Sequence, residues 1–549
     1  MSSMWSLKYF AFIAVFVYHV CYGDVSSPLV ETKVGRIRGL RADDGNYSMY
    51  LGIPYATVDK HNYFGSALPH PKFDTVFEAY QDTAVCPQIE DFKRTIIGTL
   101  DCLHLNIFVP NSATSTNRLP VLISIHFGGF ISGFSARYLY GPKFLVRHDI
   151  ILVTFNYRVG PYGFMCLNIP EVPGNAGLKD QRLALKWVKD NIESFNGDPN
   201  KITLYGTSAG GIAVDMHYLF GDSNLYDKLI MHSGTSLTPI TIRNPDTKAV
   251  IKLATDLGFE TNDNVEALNF LSTVDSHQVI ASNQALGINY GLCVEEEFDG
   301  IENFVKENPC NVIGPDASEK SVLLAYNRDD VHTPFSMTPL DLLPSFRSVV
   351  MNDLQSYFKF DTVALEKFCT IVRHFYIGDE SLTEKVRLNL GRYTSDFHII
   401  HPTFRSLKRY TDNGSKSVYH LVFSYRGERN FKKVNSNIKN ADIAVHGDEI
   451  GYLFDVSFMS KPSARDQLTI DRITTLWANF VKYGLVNPSP HPTKLVPVTW
   501  KPATKETIPY LELDSEVLVG KRHYHDRVAF WDLFYELNWQ GIIRADNRK

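Results

Sequence analysis

A chain of 549 residues with 44% hydrophobic and 21% charged side chains has the make-up of a globular protein, long enough to bury a large core without depending on disulfides. Its net charge of −5 gives no electrostatic basis for binding nucleic acid. It carries no His-Glu-x-x-His motif and no zinc-spaced His/Cys cluster, so no metal is implied, and nothing calls for a cofactor.

The first residues read as an address. Lys8 precedes an apolar run from Tyr9 to Tyr18, and Gly23 supplies a small residue before Asp24, the pattern of a signal peptide over 1–23. The mature chain, 24–549, is then expected to be secreted and extracellular. No later run is long and apolar enough for a membrane anchor. In an oxidising compartment cysteines pair, and removal of Cys21 leaves six of the seven. Cys86 and Cys102 close a short polar loop and are the first expected pair. Cys293 and Cys310 are the second, with Cys166 and Cys369 left as buried thiols. Asn46-Tyr47-Ser48 and Asn413-Gly414-Ser415 are acceptor sequences for glycans.

Past the leader, strand-like and helix-like segments alternate without a repeat or a low-complexity linker, which predicts α/β architecture. Val34–Gly39 and Met49–Tyr55 read as short strands. Pro120–His126 is a buried strand that ends at Phe127-Gly128-Gly129-Phe130, and Ile150–Phe155 is another. Leu183–Ile192 has the spacing of an amphipathic helix. Ile202–Tyr205 is an apolar strand running straight into Gly206-Thr207-Ser208-Ala209-Gly210, and Ile212, Val214, Met216 and Leu219 then follow at helical intervals. Strand, Gly-x-Ser-x-Gly and helix in that order form a nucleophile elbow, a turn too tight for side chains at 206 and 210 that pushes the Ser208 hydroxyl outward. Leu229–Met231, Ser321–Ala325 and Val418–Phe423 are further strands. The polar stretch 241–320 reads as a cap over a site or a helical insertion.

These segments carry a resemblance. Gly35-Arg36-Ile37-Arg38-Gly39, Leu51-Gly52-Ile53-Pro54-Tyr55-Ala56, Asp101-Cys102-Leu103-His104-Leu105-Asn106, His126-Phe127-Gly128-Gly129-Phe130, Asn156-Tyr157-Arg158, Pro173-Gly174-Asn175, the elbow, Ala444-Val445-His446-Gly447-Asp448-Glu449 and Trp477-Ala478-Asn479-Phe480 span nearly the whole mature chain. Together they resemble the type-B carboxylesterases, the cholinesterase-like branch of the α/β-hydrolases, with a looser likeness to secreted insect esterases. The resemblance implies one α/β-hydrolase domain over 24–549: a large, mostly parallel sheet flanked by helices, with helical insertions capping the site. It implies a serine carboxylesterase acting on a small ester.

A serine hydroxyl is a weak nucleophile until a histidine takes its proton and a carboxylate orients that histidine. In this fold the chain order is Ser, acid, His. His446, in a loop beyond the strand Val418–Phe423, matches the family histidine; His523 and His525 are downstream alternatives without the matching context. By alignment the acid is Asp330, where the family usually has Glu before Gly and this chain has Asp330-Val331; Asp329 is the rival. An Asp arm is one methylene shorter, so the histidine loop must come closer by roughly 1.5 Å. The resemblance makes the amides of Gly128, Gly129 and Ala209 the oxyanion donors.

Several positions depart from the family. Phe127 stands where a further glycine is common. Thr207 replaces the Glu of cholinesterases, and residues 87–101 hold no Trp to cradle a quaternary ammonium, which speaks against a choline ester. Juvenile-hormone esterases as a family have Gln at the Thr207 position, which weakens that assignment too. Leu100 replaces an ion-paired Glu. Ser233 matches a position near the acid. The opposing readings are a non-catalytic adhesion or binding member of the family, which typically has lost one of the three groups, and a lipase.

Overall fold

The computed structural model describes residues 27–239, 241–315, 317–332, 344–381, 383–415, 417–432, 443–485, 492–539 and 542. The expected leader at 1–23 lies outside them. Eleven strands form the central sheet: β1 (Leu40–Arg41), β2 (Tyr47–Pro54), β3 (His104–Pro110), β4 (Leu119–Ile125), β5 (Ile151–Phe155), β6 (Gly197–Thr207), β7 (Lys228–His232), β8 (Ser321–Asn327), β9 (Ser417–Phe423), β10 (Pro509–Leu513) and β11 (Val517–Lys521). Their order in space is β11-β10-β9-β8-β7-β6-β4-β5-β3-β2-β1. Strands β4 to β10 pair in parallel, and the outer strands add antiparallel edges.

Parallel strands need crossovers, and the helices that make them cover both faces of a sheet. Here they are α1 (Ala176–Asn191), α2 (Ala209–Phe220), α3 (Ala249–Asp256), α4 (Asn264–Leu271), α5 (Ser276–Leu286), α6 (Phe346–Tyr357), α7 (Thr362–Ile377), α8 (Glu384–Ser395), α9 (His401–Asp412) and α10 (Ala464–Tyr483), and a further helix, α11 (His525–Leu537), follows the last strand. The central strands are therefore apolar at consecutive positions. Val121, Ile123 and Ile125 join the core on one face while Leu122 joins the other; Leu229 and Met231 separate from Ile230 in the same way. A third apolar cluster lies among α6, α7, α8 and α11.

The chain leaves β4 for β5 on one side and returns to β6 on the other. At such a reversal the connections diverge and leave a crevice beyond the carboxyl ends of the strands. The two segments singled out in the sequence, 126–130 after β4 and 208–210 after β6, emerge at this crevice.

Two features differ from expectation. Helix α1 begins at Ala176, seven residues before Leu183, because its first turns bury paired charges that no apolar spacing can reveal. Lys179 meets Glu295 at 2.7 Å, and Arg158 meets Asp180 at 2.6 Å with side chains 1% and 0% exposed. The Arg158 guanidinium also donates to the carbonyls of Tyr63 and Gly65 at 2.9 and 2.7 Å. Breaking a fully satisfied buried pair strands one charge, so Arg158→Met is expected to destabilise the fold by about 3–5 kcal/mol in denaturant unfolding.

The second difference is a correction. Cys86 pairs with Cys102, but Cys293 pairs with Cys166, 127 residues away, and not with Cys310. Asn175 holds the Cys293 backbone through both its amide groups, which brings Cys293 beside Cys166. Cys310 is a free thiol 3.1 Å from the Tyr357 hydroxyl, and Cys369 is a buried thiol in α7. Among the described residues of 241–320, α3 to α5 are helices and the part beyond Leu286 is irregular. Helix α5 packs on the hairpin Gln88–Ile89 and Ile96–Ile97 inside the Cys86–Cys102 loop. Leu100 packs, half-buried, against the core. Helices α6 to α9, strands β10 and β11, and α11 carry no motif and were not anticipated.

Candidate active site

Ser208 terminates β6 with φ +58° and ψ −126°, a conformation that residues with a Cβ rarely adopt. The glycines around it are there for space. A Cβ on Gly206 would lie 2.2 Å from Gly210 backbone, one on Gly210 would lie 2.2 Å from Ile125 O, and one on Gly234 would lie 2.3 Å from Ser208 O. The elbow thus touches the ends of both β4 and β7. The Ser208 amide donates to His232 O at 2.8 Å, and the side chain is half-exposed. Among the described residues its Oγ has no protein hydrogen-bond partner.

Asp330 follows β8 in a single 3-10 turn and is fully buried. One carboxylate oxygen lies 2.5 Å from His446 Nδ1; the other accepts from Ser233 Oγ at 2.6 Å and from Asn327 N at 3.0 Å. The His446 amide donates to Asp330 O at 2.7 Å, so the short Asp arm is met by backbone that draws the histidine loop in. Asp329 does something else. Its amide donates to Ala444 O at 2.9 Å, and its carboxylate accepts from Ala444 N and from Arg328 Nε, both at 3.2 Å. It anchors the loop and does not meet the His446 ring. Ser233 follows directly on His232, the partner of the Ser208 amide, so a continuous chain of contacts links Ser208, residues 232–233, Asp330 and His446.

Burial alone would lower the His446 pKa, but the charge and hydrogen bond of Asp330 outweigh it and leave the imidazole above its ordinary value. His523 goes the other way. Burial first, then the charges of His420, Arg527 and Arg328, push it down to about 2, and its Nδ1 meets the Tyr326 hydroxyl at 2.8 Å. It is a core residue, and His525 is exposed at the start of α11. His126, stacked on Tyr157 at 4.0 Å between ring centres, is lowered to about 4 by burial and is also structural.

After β4 the chain turns through Gly128 (φ +123°), Gly129 (φ +63°) and Phe130 (φ +64°). The amides of Ile131 and Ser132 both donate to Gly128 O at 3.0 Å. A Cβ on Gly128 would lie 2.0 Å from Ser132 O, whereas Gly129 is open, its nearest neighbour Ile131 Cγ1 at 3.8 Å. Among the described residues the amides of Gly128 and Gly129 donate to no protein acceptor. Ala209, first in α2, has one of the free amides of a helix N-terminus. Phe127 faces Phe431 and Tyr140 with ring centres 5.7 and 6.2 Å apart. With Phe92, Phe134 and Leu139 it lines a cavity of about 110 Å³ beside this turn.

Sequence reasoning missed a buried layer beneath the elbow. Glu449 accepts from Thr207 Oγ1 at 2.8 Å and from Asn327 Nδ2 at 2.7 Å, and Asn327 also donates to Val445 O at 2.6 Å. Thr207, Asn327 and Glu449 thereby fasten the elbow, the acid strand and the histidine loop together. Asp448 braces the same loop by accepting from Val445 N, Lys432 N and Asn430 Nδ2 at 2.8–2.9 Å; burial pushes its carboxyl up to about 7 against those donors. The only sequence signal for these residues was their place in or beside the matched motifs; Asn327 had none.

Comparison with known proteins gives a match to the carboxylesterase family over residues 26–531. The juvenile hormone esterase of Tribolium castaneum is 27% identical, the alignment covering 93% of this chain and 94% of that one. The human bile salt-activated lipase is 28% identical over 92% of this chain and 69% of its own, and the mouse cholinesterase is 28% identical over 92% and 87%.

Proposed function

The chain belongs to the carboxylesterase family, a carboxylic ester hydrolase of α/β-hydrolase fold, and we propose that Ser208, His446 and Asp330 carry its reaction. Ser208 Oγ attacks an uncharged ester carbonyl while His446 Nε2 takes its proton. The amides of Gly128, Gly129 and Ala209 receive the oxyanion. Collapse expels the alkoxide, which leaves as alcohol with the proton from His446, and Ser208 is left acylated. Water, deprotonated by His446, then releases the carboxylic acid and restores the serine. Asp330 holds the ring so that Nε2 faces the nucleophile and stabilises the imidazolium that forms.

The observation that carries this reading is the strained Ser208 turn bound, through residues 232–233, to a buried Asp330 paired with a partly exposed His446. A fluorophosphonate probe should attach to Ser208, as read by peptide mass spectrometry. Folded enzyme that takes no label would instead fit a non-catalytic binding protein. The cavity beside the turn, where Phe92, Phe127, Phe134, Leu139 and Phe431 stand with Gln88, Asp91 and Lys432, supports a small, largely apolar group on that side. A sharp rise in rate on emulsified long-chain esters would turn the assignment to a lipase.

Residues 24–549 are read as one domain, secreted after loss of 1–23. The two disulfides support an oxidising compartment. Among the described residues no helix is long and apolar enough to cross a membrane. For a glycan Asn46 is favoured: it is exposed, whereas the Asn413 amide nitrogen donates to Ile313 O at 2.6 Å.

A further inference from the structure

Gln88 lies two residues past Cys86 and is 1% exposed. Its carboxamide bonds main chain alone. Oε1 accepts from Gly133 N at 2.6 Å, and Nε2 donates to Gly133 O at 2.8 Å and to Cys86 O at 3.0 Å. One side chain therefore grips both polar groups of Gly133, as a neighbouring strand would.

Gly133 closes the turn that opens at Gly128. A Cβ there would come within 2.3 Å of both Phe127 O and His126 Nδ1, so the turn is pressed onto the residues that lead into Gly128. The next residue back, Ser132, donates its hydroxyl to Asp91 at 3.1 Å, and Ser132 O is the atom that leaves no room for a Cβ on Gly128. Two successive residues of the turn are thus held from outside, both by the loop that Cys86–Cys102 closes. That loop is itself braced, since His277 Nε2 of α5 meets Gly98 O at 2.9 Å.

Oxyanion donors help only if they are aimed before charge develops. A stretch with consecutive glycines at positive φ has many other conformations open to it. We infer that Gln88 is a positioning residue that locks the 128–133 turn, so that the Gly128 and Gly129 amides stand ready for the oxyanion. This rests on their proposed role as donors.

Gln88→Leu keeps the volume and removes the three bonds. With active sites titrated by fluorophosphonate, kcat should fall about 10–100-fold while KM stays within about threefold. Affinity for a trifluoromethyl ketone, which forms a tetrahedral adduct on the serine, should fall by the same factor as kcat/KM. Ser132→Ala, which removes the Asp91 contact and a longer hydroxyl bond to Gly128 O at 3.3 Å, should show the same pattern at about 2–5-fold. Ile89→Ala loosens packing in the same loop without touching Gly133; it should lower the melting temperature and leave kcat unchanged. Wild-type kcat and ketone affinity in Gln88→Leu overturn the inference. If that variant does not fold, wild-type values in Ser132→Ala overturn it. An equal loss of kcat in Ile89→Ala also overturns it, since the loop would then matter only as scaffold. Wild-type enzyme that hydrolyses esters but gains no affinity from the ketone removes the oxyanion reading itself, and this inference with it.

Discussion

Ser208→Ala is expected to abolish ester turnover, a fall of roughly 10⁴–10⁶-fold in kcat, and to leave the melting temperature where it was. Both halves follow from the elbow. In the proposed reaction the hydroxyl is the attacking atom. The fold is unaffected because Ala keeps the Cβ, and so keeps the strain of φ +58°. Ser208→Gly makes the separation sharper. It is equally inactive, but glycine adopts this conformation freely, and the variant should gain about 1 kcal/mol in denaturant unfolding. A serine present for packing alone would leave both variants active.

Asp330→Asn should lower kcat by about 10⁴-fold, through loss of ring orientation and of imidazolium stabilisation. Its pH profile should move as well. In the native enzyme Asp330 raises the His446 pKa, so the rise of kcat/KM with pH, which follows the neutral imidazole, lies above about 6.5. Removing the carboxylate leaves burial opposed only by the charge of Glu449, and that limb should shift to lower pH. The same pair stabilises the fold while His446 is protonated. Its contribution is full below the unfolded value near 6.5 and is lost as pH rises through the higher folded value. Asp329→Asn should do neither, costing at most about tenfold through a looser Ala444 contact. A large loss in Asp329→Asn with an active Asp330→Asn would reverse the acid assignment.

The strands β4 and β6 were legible because each holds an apolar run that enters a glycine-bearing turn dictated by steric contact, while β8 was legible from its apolar run alone. The two carboxylates at 329 and 330 could not be told apart by spacing. They separate only when the backbone pairs Asp329 with Ala444 and turns Asp330 toward the ring. The partner of Cys293 was misread for a related reason: nearness in the chain favoured Cys310, while Asn175 and the insertion bring Cys166. Gln88, Asn327 and the paired charges of α1 are silent in the sequence, since a polar residue shows its burial only when its partners are in place. Helices α6 to α9 have no motif to mark them.

The bond between Cys166 and Cys293 has a consequence for a nicked chain. A protease cutting the exposed Asn262-Asp263 segment would leave Ser208, Gly128 and Gly129 on one fragment and Asp330 and His446 on the other, yet both fragments would remain a single covalent molecule. On a gel the two pieces should run together without thiol and separate once dithiothreitol is added.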